Sequence, residues 1–328
     1  MSSNILCQKN TVLFRLKETE NIVKKSYNIR ALSDIHGFQS GMFSFPTERG
    51  MKEDFVKEDL NDSGDLYRIQ LANGAWFYAG SNTKVYTKDM VIKDAPSLTE
   101  DDSIPLLLGS YFGESRDLTE DDGIFTGICC TRYFESDRCY NLIYHADESE
   151  AFDFSINYLK NNNINYTVRE LSGDIKVIDI SDRPKILSDF LNISQKYALY
   201  YDEVYREGYL HGLYKNRHGF YYSDGTSLYV RKIARFEEFF DQMFLLYLSL
   251  GIFVKIEDLE DQIELKITPV DYDDSLYVKD GDKVYTKITK IEKSEAPENS
   301  FCTLDCPGET LDYFCLVLAK GILMPFRY

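Results

Sequence analysis

The alternation of apolar and polar residues divides the chain into two β-rich ends and a middle in which helical and strand patterns alternate. Residues 1–95 contain short runs rich in β-branched and aromatic residues, and the Asn73-Gly74 pair between two such runs predicts a hairpin. Residues 272–328 return to the same strand-like pattern. The pattern therefore predicts an α+β fold in which a β region is built from both chain ends.

The middle of the chain predicts two copies of one order of elements. In the first copy we expect helices at 104–113, 148–162 and 183–192, with strands at 123–134, 138–146, 164–171 and 174–181. In the second copy we expect helices at 196–215 and 235–251, with strands at 219–224, 226–234, 253–259 and 262–269. This order indicates an internal duplication of about one hundred residues.

The net charge of −17 is concentrated in two blocks. Residues 101–150 carry 12 acidic and 3 basic side chains, and residues 251–328 carry 16 and 9. Acidic surfaces repel phosphate, so nucleic-acid binding requires the basic residues to gather on one face. No apolar run is long enough to span a bilayer, and the first residues lack a signal-peptide pattern, so we expect no membrane contact and a cytoplasmic or nuclear rather than secreted protein.

Two glycines lie four residues apart in the segment LLLGSYFGES at 106–115. Gly109 and Gly113 would share one face of a helix, where a missing side chain lets another backbone approach closely. Residues 107–115 align with residues 210–218, 103 positions later, so that Gly109 corresponds to Gly212. The first segment resembles the LAGLIDADG motif of homing endonucleases, and the second is similar to that family's second repeat.

The resemblance implies a pseudo-twofold αββαββα domain in a monomer with internal pseudo-symmetry. Two helices would pack side by side through Gly109, Gly113 and Gly212, and the strands would form a saddle for double-stranded DNA. An acidic residue at the end of each helix would hold Mg²⁺ over the scissile phosphate. In this chain Glu114 takes the first position, as catalytic residue and metal ligand, whereas Arg217 takes the second. The basic residues that would contact DNA phosphates are Arg132, Arg138, Arg169, Lys176, Arg231, Lys232 and Arg235.

The flanking β segments resemble a Hint domain, the self-splicing fold of inteins, at residues 80–87 and 319–326. The resulting domain plan is a first Hint-like half at 1–95, LAGLIDADG repeats at 96–193 and 194–270, and a second Hint-like half at 271–328. The residues that splicing requires are absent, because Gly80 and Thr83 replace the Thr/His pair and Pro325-Phe326 replaces the terminal His-Asn. Splicing is therefore predicted to be lost, and Cys7 is interpreted as a buried thiol at a strand edge.

The sequence leaves two functions open. Cleavage of both strands needs carboxylates from both helices, and Arg217 removes one, so the chain either retains DNA binding or nicking through Glu114 or is a catalytically dead scaffold that binds protein partners through its acidic surfaces. Arg217 is interpreted as an ion-pair partner of Glu114. Two further metal hypotheses rest on incomplete ligand sets: a zinc fragment at Cys302, Cys306 and Cys315, and a metallophosphoesterase-like Asp34-Ile35-His36.

Overall fold

The structure is a computed structural model of the 328-residue chain. It describes residues 5–8, 12–16, 26–31, 40–46, 52–60, 65–81, 83–106, 108–109, 118–130, 132–135, 140–181, 198–199, 201–232, 236–281, 283–294, 301–305, 314–318 and 322–324. The chain divides into two units. Unit 1 comprises Met1–Phe112, Tyr247–Phe253 and Val270–Tyr328, and unit 2 comprises Gly113–Leu246 and Val254–Pro269.

The described part of unit 1 is built from strands that come from both ends of the chain. The strands are β1 (Ile5–Gln8), β2 (Val12–Leu16), β3 (Ser26–Ala31), β4 (Ser40–Pro46), β5 (Lys52–Leu60), β6 (Leu66–Leu71), β7 (Trp76–Gly80), β8 (Lys84–Tyr86), β9 (Ile92–Asp94), β10 (Ser103–Leu106), β19 (Val278–Asp280), β20 (Lys283–Ser294), β21 (Phe301–Asp305), β22 (Phe314–Leu318) and β23 (Ile322–Met324).

These strands form a sheet in the order β1-β21-β5-β4, a larger sheet in the order β3-β2-β22-β23-β10-β20-β6-β7 with β19 beside β20, and the pair β8-β9. The early strands pair antiparallel with the late ones, as Cys7 opposite Cys302 shows. The core of the larger sheet includes Ile69, Phe77, Ile104 and Tyr285, each fully buried.

Unit 2 contains two copies of the same topology. The first copy is α1 (Glu120–Cys129), β11 (Tyr133–Glu135), β12 (Tyr140–His145), α2 (Ser149–Asn161), β13 (Tyr166–Ser172) and β14 (Ile175–Ile180). The second is α3 (Glu203–Tyr214), β15 (Tyr221–Ser223), β16 (Leu228–Arg231), α4 (Phe236–Ser249, which ends in unit 1), β17 (Val254–Leu259) and β18 (Glu264–Pro269). The sheets run β11-β12-β14-β13 and β15-β16-β18-β17, so the strand orders are equivalent.

The two central helices begin at side-chain caps. Thr119 accepts a hydrogen bond from the backbone of Asp122, whose carboxylate accepts one from the backbone of Thr119, which completes a capping box at the start of α1. Asp202 caps α3 by accepting from the backbone of Tyr205. In the first copy α1 and α2 cover one face of the sheet, and the shared core includes Phe125 and Leu142.

One predicted helix is wrong, because residues 103–106 form strand β10 rather than the start of a helix at 104–113. The predicted strand at 123–134 is also wrong over most of its length, because residues 120–129 form helix α1. The predicted helix at 148–162 and strands at 164–171 and 174–181 are confirmed as α2, β13 and β14. The predicted helix at 183–192 lies outside the described residues.

Candidate functional site: the ends of the paired helices

Helices α1 and α3 touch through their backbones. A Cβ atom added at Gly212 would lie 2.2 Å from the carbonyl oxygen of Ile124, a distance that real Cβ contacts essentially never show. Equivalent distances of 2.2–2.3 Å to backbone oxygens of the opposite helix are found at Gly123, Gly127 and Gly208. All four glycines therefore belong to one face-to-face contact, and any larger residue would separate the helices.

The contact glycines reveal a different repeat register from the one predicted. Gly123 and Gly127 in α1 match Gly208 and Gly212 in α3, an offset of 85 positions rather than 103. Gly109 is not part of the contact, since its φ of 103° is left-handed and its N–H donates to the carbonyl of Leu248. Gly113 and Glu114 lie outside the described residues, so the catalytic and metal-binding role of Glu114 stays a prediction.

An arginine follows the end of each paired helix at the same position. Arg132 comes five residues after Gly127, and Arg217 comes five residues after Gly212. In the predicted register Arg217 already stood where the resemblance implies a carboxylate, and the observed register places Arg132 at its counterpart in the first repeat. Both helix ends therefore carry cations at equivalent positions.

Arg132 is the centre of a buried polar cluster that joins the two repeats. Its guanidinium donates to both carboxylate oxygens of Glu148 at 3.1 Å, and also to the carbonyl of Ile128 at 2.8 Å and to the side-chain oxygen of Asn216. Asn216 in turn donates to the carbonyl of Gly127 at 3.0 Å. The same guanidinium lies 4.5 Å from the ring centre of Tyr144. Arg132 and Glu148 are only 8% and 3% exposed, so this is a desolvated bidentate ion pair.

The carboxylate of Glu148 receives four N–H donors. Besides the two from Arg132, the backbone N–H of Arg217 donates at 2.8 Å and that of His145 at 3.1 Å. These bonds occupy the oxygens that a divalent cation would need, and two arginines add positive charge nearby. In the described part of the chain no three His, Cys, Asp or Glu residues are grouped so that they can hold a metal. The Glu148 carboxylate is therefore not available to a divalent cation, and Glu114, the metal ligand that the resemblance implies, lies outside the described residues.

Beside this cluster the structure brings together two histidines that are far apart in sequence. The rings of His145 and His218 lie 4.1 Å apart between centres. His218 also contacts the Asp147 carboxylate through Nε2 at 2.9 Å, and this hydrogen bond lowers the pKa of Asp147. Arg217 is an exposed residue, and its guanidinium donates to the carbonyl of Ser223. The surface above the buried ion pair is thus polar, and its charges are of both signs.

The basic residues predicted to contact DNA have different surroundings. Arg132 is buried and cannot reach a phosphate, and Lys176 extends over the Phe152 ring of α2, on the helix side of its sheet. Each of the other described candidates has an acidic partner within hydrogen-bonding distance, and these pairs are Arg169–Asp179, Arg231–Glu264 and Lys232–Asp258. Arg138 and Arg235 lie outside the residues whose side chains are described.

Two tyrosines form an aromatic feature on the sheet β15-β16-β18-β17 that the sequence did not single out. Tyr222 and Tyr229 are opposite each other on neighbouring strands and stack with centres 4.8 Å apart. Arg231 lies over the Tyr222 ring and Lys266 over the Tyr229 ring. These residues alternate with the buried Leu228, Val230 and Leu265, so they belong to the face turned away from the core. This face has both aromatic and cationic groups.

In the part of the chain that the structure describes, no helix is both long enough and apolar enough to cross a membrane. No protein-family model matches the chain, and no curated protein matches it by sequence.

Among solved structures, the chain is similar to two complexes of I-DmoI, a LAGLIDADG homing endonuclease, with its target DNA in the presence of manganese. Both are 11% identical; the matches cover 46% of this chain and 88% or 87% of I-DmoI, with TM-scores of 0.34 and 0.32. It is also similar to full-length DUF199/WhiA from Thermotoga maritima, at 12% identity and a TM-score of 0.30, over 46% of this chain and 52% of that one. These TM-scores are too low to establish a fold or a function.

Proposed function

We propose that unit 2 binds double-stranded DNA without cutting it. The observation that carries this proposal is the exposed Arg217, which stands five residues beyond Gly212 where the resemblance implies a carboxylate, while the buried Arg132 stands at the equivalent position beyond Gly127. Cleavage of the LAGLIDADG type needs carboxylates and a divalent cation at this place, whereas a cation at the same place favours a phosphate without activating water. Arg217, which is exposed, is the group that would contact the phosphate.

The buried ion pair supports the loss of cleavage. Arg132 is held by Glu148 and Asn216 at the end of α1, and the hydrogen bonds that Glu148 accepts leave none of its oxygens free to bind a metal. Lys266, which lies beside the stacked tyrosines on the sheet face turned away from the core, supplies a second positively charged contact for a phosphate. We also propose that the β-rich halves at 1–95 and 271–328 form a Hint-like domain, with the two repeats at 96–193 and 194–270 between them in the sequence.

Fluorescence anisotropy with a labelled random duplex at low salt tests the binding. We expect binding that is equal in EDTA and in Mg²⁺ and that weakens steeply as salt rises, since phosphate contacts release counterions. Arg217→Ala should weaken binding to all duplexes alike and reduce the slope of log K against log salt by about 1. Arg68→Ala is the matched control, because Arg68 lies in unit 1 and is paired with Glu292.

A plasmid-relaxation assay with Mg²⁺ and Mn²⁺ tests the absence of cleavage. Supercoiled plasmid should remain intact at protein concentrations that saturate DNA binding. Nicking or linearisation that EDTA suppresses would refute this part of the proposal, and failure to bind DNA at low salt would refute the other part.

The second candidate function, a scaffold that binds protein partners through acidic surfaces, is favoured by two observations. Arg169, Arg231 and Lys232 are already paired with carboxylates, and the whole chain carries a net charge of −17. This candidate predicts that a lysine-rich peptide binds at low salt under conditions in which duplex DNA does not.

A further inference from the structure

A lysine ammonium group in unit 1 lies against two aromatic rings. Phe253 and Tyr272 meet edge to face, with ring centres 5.6 Å apart and planes inclined by 67°. The Nζ atom of Lys279 lies 4.7 Å from the centre of the Tyr272 ring and 5.1 Å from that of Phe253. Both distances are within the range of about 6 Å over which a ring face attracts a cation. We name Phe253 and Tyr272, with the space between them, the aromatic corner.

The corner is held in place by its surroundings. Tyr277 is fully buried, packs against Phe253 at 4.8 Å, and accepts a hydrogen bond at its hydroxyl from the side chain of Asn73. The Tyr272 hydroxyl donates to the carbonyl of Tyr277 at 3.3 Å and accepts from the backbone N–H of Lys279 at the same distance. The two rings are therefore positioned before any ligand arrives, which reduces the entropy cost of binding.

The charge around the corner selects a cation. Residues 271–280 contain four aspartates and a single basic residue, Lys279. Although these aspartates are exposed and close in sequence, Lys279 forms no ion pair with any described residue, and its ammonium group lies against the rings. The corner thus accepts an alkylammonium group in the folded protein, and the acidic segment raises the local concentration of cations.

We propose that the aromatic corner is a binding site for the alkylammonium group of a partner protein, a lysine or a methylated lysine, and that Lys279 occupies it as an internal ligand when no partner is bound. Lys279 is exposed, so its flexible side chain can move into water when another cation enters. Tyr272 is 42% exposed and forms the open wall. The site lies in unit 1 and does not depend on DNA binding by unit 2.

Isothermal titration of the full chain with tetramethylammonium, N-acetyl-lysine amide and its trimethylated form tests this proposal. Removal of the internal ligand by Lys279→Ala should strengthen binding of tetramethylammonium about fivefold, because the cation no longer competes with Lys279 for the ring faces. Lys283→Ala is the control, since it removes one positive charge from a nearby exposed position, and it should change the affinity by much less.

The ring itself is tested by two variants at position 272. Tyr272→Ala should abolish binding in the Lys279→Ala background, whereas Tyr272→Phe should retain it because the ring face remains. Binding of both lysine ligands would identify an unmodified lysine as sufficient, and binding of the trimethylated ligand alone would identify a methylated one. Equal affinities for the wild-type chain and Lys279→Ala, or binding that survives Tyr272→Ala, would overturn the proposal and leave Lys279 as a purely structural contact.

Discussion

Replacement of Gly212 by alanine tests the contact between α1 and α3, because a real contact and an uncrowded glycine predict opposite changes in the free energy of unfolding. Alanine is the better helix former by about 1 kcal/mol, so an uncrowded glycine in α3 would be stabilised by this change. The structure predicts the opposite, because the new Cβ would lie 2.2 Å from the carbonyl oxygen of Ile124, whereas ordinary contact begins at 3.4 Å. The oxygen belongs to one helix backbone and the Cβ is bonded directly to the other, so neither can rotate away as the end of a long side chain can.

The expected magnitude follows from the two opposing effects. Overpacking of a tight contact costs about 1–3 kcal/mol, and the helix has to move as a body, so the three neighbouring glycine contacts are loosened as well. Because several contacts are loosened together, the upper end of this range applies, and after the gain of about 1 kcal/mol in helix propensity is subtracted, Gly212→Ala should lower the free energy of unfolding by about 2 kcal/mol.

Urea unfolding followed by circular dichroism measures this difference, and Gly173→Ala is the matched control. Gly173 has no atom within 4 Å of an added Cβ and no left-handed φ, so its replacement should change stability by no more than about 0.5 kcal/mol in the unfavourable direction. If Gly212→Ala proves as stable as the wild type or more stable, the backbones of α1 and α3 do not touch at this point and the reasoning fails.

Three further changes test other parts of the structure. Arg132→Met should destabilise unit 2 by about 3 kcal/mol because the buried charge of Glu148 loses its cation, and adding Glu148→Gln should recover part of that loss in the same urea assay, because the neutral amide oxygen still accepts from the backbone N–H groups of His145 and Arg217; a double variant no better than the single one would contradict this. Ile263→Asn should raise the free energy of unfolding by about 1 kcal/mol, because Ile263 is 62% exposed and its φ of +55° strains a β-branched residue; a loss of stability would show that the isoleucine makes a contact of value. Burial raises the pKa of the Cys129 thiol far above its ordinary value of 9.0, so the folded state favours the thiol, and its contribution to stability is complete below pH 9 and declines as the pH rises further. Peptide-level mass spectrometry should accordingly find Cys129 unmodified by iodoacetamide at pH 8 in the native chain and modified in urea, and rapid native modification would contradict its burial.

The elements of unit 2 were predictable where an amphipathic pattern decides them. The boundaries of α2 and of strands β13 and β14 agree with the sequence pattern to within two residues. Helix α1 was mistaken for a strand because Ile124, Phe125 and Thr126 favour strands locally and its two glycines weaken a helix. Its helical state is consistent with its packing against α3, a contact between distant parts of the chain that the local sequence pattern does not report.

The polar cluster around Arg132 could not be predicted from the sequence, because its contacts join residues that are far apart along the chain. Glu148 has no special neighbours along the chain, and Asn216 meets Arg132 only because the two helices end side by side. The idea of a glycine-mediated helix pair came from the sequence, with Gly212 at the contact, while the first partner helix was placed too early. The likeness to Hint domains stays a prediction, since neither the strands of unit 1 nor the comparisons test it.

The cluster around Glu148 also has a consequence for how the chain folds. Its carboxylate lies in the first repeat, yet it accepts a hydrogen bond from the backbone N–H of Arg217 in the second. The glycine faces of α1 and α3 also pack against each other, so each helix without its partner would expose that face. A single repeat expressed alone would expose a buried charge and a groove shaped for a missing helix. The two repeats should therefore unfold together in a single cooperative transition. Neither repeat should fold when it is expressed without the other.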